Sequence, residues 1–172
     1  MTETFSKWGT VAASPHFRLD NRPDQARSLT FTTPVLDDEL TLAGPMELHF
    51  WGITTAADVD WVAKVTDIAP DGSASLLTSG YVRASHRSWS SAKSRPGRPW
   101  LPNDRESNVP AGMPLEYRVD IWDIAHTLQK GHRLRLTISS SDAPNHEPLA
   151  EPAINAVLHS KHFPSRLVVT ER

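Results

Sequence analysis

Along this chain apolar and polar residues alternate with a period of two over short runs, the pattern of strands that bury one face and wet the other. The clearest run places Leu115, Tyr117, Val119 and Ile121 on one side and Glu116, Arg118 and Asp120 on the other. A second sets Leu134, Leu136 and Ile138 against Arg133, Arg135 and Thr137. Similar runs predict strands at 28–33, 46–53, 61–68, 74–84 and 166–170. Turn residues separate them: Gly44 and Pro45, the acidic stretch around Asp58, Pro70-Asp71-Gly72, and Pro164-Ser165. The Asp71-Gly72 pair predicts a hairpin, because both residue types tolerate positive φ. One short helical turn is expected at 124–129, closed by Gly131 as a C-terminal cap.

Strands joined by short, irregular connections predict an all-β fold, a jelly-roll sandwich of antiparallel sheets. One connection is different. Pro96, Pro99, Pro102, Pro110 and Pro114 fall within nineteen residues, which neither a regular helix nor a central strand can cross. The stretch 89–112 is longer than most connections in compact domains, and its Trp89, Trp100 and Leu101 predict a loop packed on the body. The first 27 residues carry little periodicity. The expected division is therefore an N-terminal arm or linker remnant at 1–27 and a single domain at 28–172.

At 172 residues, 38% hydrophobic and 22% charged, the chain has enough apolar matter for one core and should fold alone. The net charge of -2 is spread along the sequence, which leaves no basic footprint for a phosphate backbone and argues against a nucleic-acid partner. The first residues lack the basic and apolar regions of a cleaved signal, and no run approaches 18 apolar residues. A soluble chain outside the membrane is expected. The absence of cysteine excludes disulfides and thiolate metal sites and fits a reducing compartment, so the cytoplasm is the expected location.

Five segments carry a further pattern: SLTFTTPVLDDELTLAGP at 28–45, DVDWVAKVTDIAPDG at 58–72, YVRASHR at 81–87, HTLQKGHRLRLTISSSD at 126–142 and HSKHFPSRLVV at 159–169. Taken in order, they resemble the C-terminal domain of the X-Pro dipeptidyl-peptidase and CocE/NonD hydrolase family. The resemblance implies a galactose-binding-like jelly roll packed beside an α/β-hydrolase domain that holds the serine, aspartate and histidine. The long loop fits as well, with Arg98-Pro99-Trp100 and Asp104-Arg105 after RASHR. Leu101 and Asn103 stand where relatives often carry histidines.

These 172 residues contain no G-x-S-x-G, the strand-to-helix elbow that exposes a catalytic serine. Ser139, Ser140, Ser141, Asp142 and His146 bring the residue types of a triad close together, but a triad is a spatial arrangement. A serine run ending a strand before Pro144 reads as turn residues, so no catalytic residue is assigned. His126 and His132 flank a turn, and His159 and His162 lie three apart without an acid or cysteine at ligand spacing. Packing and capping are expected of them. Asp58, Asp60, Asp67 and Asp71 lack the dense spacing of a calcium loop and read as solvated turn carboxylates. Neither metal nor cofactor is expected.

Of six tryptophans, Trp51, Trp61 and Trp122 lie in predicted strands and are expected in the core or half-buried. Trp89 and Trp100, on the long loop, are the candidates for a binding or contact surface, with loop-to-body packing as the plainer role. The leading functional expectation is a non-catalytic accessory domain or subunit of a serine hydrolase, with an α/β-hydrolase domain as partner. The alternatives are a stand-alone carbohydrate- or peptide-binding module and a structural homo-oligomer.

Overall fold

The computed structural model describes residues 21–142, 149 and 151–172. After a one-turn helix, α1 (Arg22–Gln25), come β1 (Leu29–Thr32), β2 (Leu40–Thr54), β3 (Asp60–Ile68) and β4 (Ala74–Arg83). A 3-10 turn at Ala84–His86 opens the long loop, and β5 (Leu115–Leu128), β6 (Arg133–Ser139), β7 (Asn155–Leu158) and β8 (Arg166–Val168) follow. One sheet has the order β1-β6-β3-β4; the other has β5-β2-β7, with β8 also paired to β2. All these pairs are antiparallel. The two sheets face each other across the core, as the alternating runs predict.

The core is anchored by three aromatic rings. Phe50 stacks on Tyr117 with centroids 5.1 Å apart, and Trp61 meets Phe50 edge-on at 5.3 Å. Gly52 makes room for them, since a Cβ there would lie 2.9 Å from the Trp61 ring. Burial pushes the Tyr117 hydroxyl above its ordinary pKa, so it stays neutral.

Two strands run farther than the pattern predicts. β2 continues through Gly44 and Pro45, and of the segment 124–129, expected as a helical turn, residues 124–128 are the end of β5. Gly44 faces Ile124 and Met46 faces Ile121, so Trp122 and Asp123 stand opposite the single residue Pro45. This is a β-bulge. Pro45 has no N–H for the ladder, and the extra residue on β5 absorbs the interruption. The bulge also reverses the facing of β5. Tyr117, Val119 and Ile121 point inward before it, whereas Leu128 and the partly buried Ile124 and His126 do so after it. Gly131, with φ of +87°, serves the β5–β6 turn instead of capping a helix. Trp122, expected in the core or half-buried, continues the outward alternation of Arg118 and Asp120 and is 55% exposed.

The sandwich has two unlike sides. Where β4 meets β5, the Thr78 hydroxyl donates to the Trp122 carbonyl at 2.8 Å. Gly80 allows that approach, because a Cβ there would stand 2.2 Å from the Asp120 carbonyl oxygen. On the far side, β7 pairs with residues 51–54 of β2 and β8 with residues 47–49, so the edge is broken at Phe50. Ser165 bridges the break: its hydroxyl accepts from Trp51 N at 3.1 Å and donates to the Leu158 carbonyl at 2.5 Å.

Candidate interaction surface

The two quoted segments DVDW and RASHR interlock at the mouth of the long loop. Asp60, 1% exposed, receives the Arg83 guanidinium in a two-pronged pair, with Nε donating to Oδ1 at 2.9 Å and Nη2 to Oδ2 at 3.1 Å. Asp58 Oδ1 accepts from the backbone N–H groups of Val59 and Ser85, each at 2.9 Å. Arg87 then closes the loop's two ends, donating to the carbonyls of Ala84 at 2.9 Å and Asn108 at 2.8 Å. Ser107 N donates to the Ser85 carbonyl at 2.7 Å. Asp58 and Asp60 are thus structural acceptors and not solvated carboxylates, because the strand-to-loop junction needs acceptors for its inward-facing donors.

This junction brings a serine, a histidine and an aspartate together, in the wrong order for catalysis. Ser85 Oγ donates to Asp58 Oδ2 at 2.6 Å and lies 3.0 Å from His86 Nδ1. An activated serine needs the histidine as its base, with the carboxylate behind it. Here the serine is the middle member and donates its hydrogen bond to the carboxylate. The other serine-rich segment is also committed: Ser139 Oγ donates to the Ser141 carbonyl at 2.9 Å, and Asp142 pairs with Lys64 Nζ at 2.7 Å. His146 lies outside the described residues.

Asp67 joins the two sheets, with His132 Nδ1 at 2.8 Å and His126 Nε2 at 3.2 Å from its two oxygens. It too is mostly buried, unlike the exposed Asp71, whose Oδ1 accepts from Ser73 N at 2.9 Å within its turn. His159 meets Phe31 edge-on, with centroids 5.8 Å apart. Among the described residues no three His, Asp or Glu side chains are placed to hold a metal ion. No helix among them is long and apolar enough to cross a membrane.

The long loop lies on the outer face of the β5-β2 sheet. Trp89 is half-buried under Arg118, whose guanidinium carbon is 3.9 Å from the ring centroid. Arg118 in turn donates to Glu47 Oε1 at 2.6 Å. Farther along, Gly97 packs on Pro45 and Arg98 bonds to Asp123 in the bulge. Trp100 is 51% exposed, with Lys93 Nζ 5.5 Å from its ring centroid. Its backbone is fixed, since its N–H donates to Ser94 Oγ and its carbonyl accepts from Ser90 N. The loop therefore joins a packed tryptophan at its base to an outward-facing one near its tip. Arg118 and the Asp58–Ser85 junction were not apparent as loop anchors from the sequence, because their partners are distant along the chain.

The family model described as the X-Pro dipeptidyl-peptidase C-terminal non-catalytic domain matches residues 1–168. The chain belongs to this family. Cocaine esterase from Rhodococcus sp. (strain MB1 Bresler) is 28% identical over 166 residues, covering 87% of this chain and 27% of that protein. A CocE/NonD family hydrolase from Staphylococcus aureus superposes with a TM-score of 0.77 at 18% identity, over 89% of this chain and 32% of its own. An α-amino acid ester hydrolase gives 0.73 at 23% identity, over 89% and 27%. These structures share the fold of this X-Pro dipeptidyl-peptidase C-terminal domain. The chain spans about a third or less of the length of the relatives it matches.

Proposed function

We infer that this chain acts as the accessory domain of a serine hydrolase of esters or peptides. The reading rests on the match of residues 1–168 to a non-catalytic domain whose matched relatives are about three times longer. An α/β-hydrolase domain, in the same polypeptide or as a separate subunit, supplies the nucleophile, base and oxyanion donors. The arrangement of Ser85, His86 and Asp58 supports this division of labour. The sandwich supports the galactose-binding-like jelly roll that the resemblance implies, and the lack of cysteine fits a cytoplasmic location.

Trp100 on the loop and Trp122 in the bulge belong to one region, because Arg98 ties the loop to Asp123 beside Trp122. Exposed indoles on a fixed backbone are suited to anchoring an interface. This region is where the hydrolase domain packs.

The test is to treat the 172-residue chain with a fluorophosphonate probe, take its intact mass, and assay it on an Xaa-Pro anilide and a nitrophenyl ester. The expected result is an unmodified mass and no turnover. Mixed with the isolated α/β-hydrolase domain of a CocE/NonD enzyme, the chain should form a complex on gel filtration, and Trp100→Ala should weaken it. Labelling of Ser85 or any other serine with turnover would overturn the reading. The exposed Trp100 also admits a stand-alone binding module. That reading prevails if sugars quench tryptophan fluorescence, the quenching is lost in Trp100→Ala, and no complex forms.

A further inference from the structure

The free edge of the β1-β6-β3-β4 sheet runs along β1. Among the described strands, β1 alone is exposed at every residue. It pairs with β6 on one side, with Leu29 opposite Ile138 and Phe31 opposite Leu136, and Thr33 N continues the ladder by donating to the Leu134 carbonyl. In an antiparallel ladder the bonded pairs recur at every second residue. Leu29, Phe31 and Thr33 therefore direct their backbone groups to β6, while Thr30 and Thr32 direct theirs to solvent.

Open edges are commonly blunted by charged side chains, proline or a bulge, because their unpaired N–H and C=O groups accept another strand. β1, Leu-Thr-Phe-Thr, has none of these: its register with β6 is unbroken, and Pro34 comes after it. The opposite edge of the sheet, β4, is covered by β5. Large apolar side chains are also exposed along β1 and just beyond it, Leu29 at 45%, Phe31 at 37% and Val35 at 45%. By alternation Leu29 and Phe31 lie on the inner face of the sheet. There Phe31 lines a cavity of about 400 Å³ between the β1–β6 edge and the β7–β8 edge, which the short strands leave uncovered.

We propose that β1 pairs antiparallel with β1 of a second copy, about a two-fold axis through Phe31. Thr30 of each copy then faces Thr32 of the other, and both pairs exchange N–H···O bonds. Phe31 meets its counterpart on the inner face at the closer spacing of a non-bonded pair, about 4.5 Å between Cα atoms. The strand carries no charge, so like charges do not meet at the axis. Arg27 precedes it and Asp37 follows it, both exposed, and antiparallel pairing turns the basic end of one copy toward the acidic end of the other. A self-complementary patch is all that a two-fold dimer requires. The strand has four residues and covers less than the roughly 1,000 Å² of a stable interface, so the dimer is weak and concentration-dependent. The proposal does not depend on a hydrolase partner and concerns the opposite side of the sandwich from the β4–β5 junction.

The experiment is analytical ultracentrifugation of the 172-residue chain from about 10 µM to about 1 mM, with NMR over the same range. The chain should pass from monomer to dimer, and the amide signals of Thr30 and Thr32 should shift and exchange more slowly as it does. Isotope-filtered contacts between a labelled and an unlabelled copy should join Thr30 to Thr32. Thr30→Pro removes an outward N–H and leaves the bonds to β6 in place, so it should weaken the dimer about tenfold without lowering the Tm appreciably. Thr30→Lys, which places a charge on the edge, should weaken it too. If Thr30→Pro fails to fold, Thr30→Lys and the contacts in the unaltered chain decide. A monomer at every concentration, a dimer whose contacts do not join Thr30 to Thr32, or a dimer indifferent to both variants would each overturn the proposal. So would a monomer whose Thr30 and Thr32 amides shift only when the α/β-hydrolase domain is added, which gives the edge to that partner.

Discussion

The β4–β5 side and the β1–β7–β8 side of the sandwich solve the same problem in opposite ways. On the first, two edge strands approach until a glycine backbone touches a carbonyl, and a threonine hydroxyl replaces the missing ladder bond. On the second, short strands are laid end to end along β2, and a serine hydroxyl spans the gap. Closure by backbone contact tolerates no added atom, whereas closure by a single bridging side chain leaves space behind it. Rigidity and accessibility are thereby separated within one small core.

The sharpest way to break this contrast is Gly80→Ala. The new methyl has 2.2 Å to the Asp120 oxygen, and a backbone atom is the obstacle, so β5 must move. A loss of about 3 kcal/mol is expected in urea unfolding. Ser165→Ala tests the other side. It leaves Trp51 N and the Leu158 carbonyl without their bridge but introduces no clash. The expected loss is about 1–2 kcal/mol.

The smallest effect concerns His49, which pairs with Arg166 in the ladder and lies on the outer face beneath the loop. Burial is the main cause that lowers its pKa, with Arg118 adding to it, while Glu116 at 2.8 Å pulls the other way. The unfolded chain takes up the proton near 6.5 and the folded chain resists it. The stability linked to neutral His49 is therefore present above about pH 6.5, and it is lost as pH falls through the lower folded value. Urea midpoints measured from pH 7.5 to 5.5 should fall more steeply in the unaltered chain than in His49→Gln. Parallel curves would remove His49 from the account.

Much of the sandwich was legible because alternation survives wherever a strand has one wet face. Leu115 to Ile121, Leu134 to Ile138 and the Pro70-Asp71-Gly72 turn all fall where the pattern puts them. The failure at 124–129 has a definite cause. By shifting phase, the bulge places Ile121, Ile124, Ala125 and Leu128 at i, i+3, i+4 and i+7, which is the spacing of an amphipathic helix. β7 was missed because Asn155 to Leu158 is four residues long and half-buried throughout, with no contrast to read. At the candidate surface, composition marked Trp89 and Trp100 but could not tell them apart. Only the fold brings Arg118 over one ring and leaves the other in solvent. The aspartates were misjudged for a related reason: a carboxylate near a turn looks solvated until its donors, distant in sequence, are folded against it.

The bulge opposite Pro45 also acts as a reading-frame correction written into the backbone. Were Trp122 deleted, Met46, Pro45 and Gly44 would face Ile121, Asp123 and Ile124 in an unbroken ladder, and every side chain from Ile124 to Leu128 would keep its face. Deletion of Ala125 would instead turn Leu128 to water and take His126 away from Asp67. The length of β5 is therefore strictly specified on either side of the bulge and slack at it, so deleting Trp122 should do less harm than deleting Ala125.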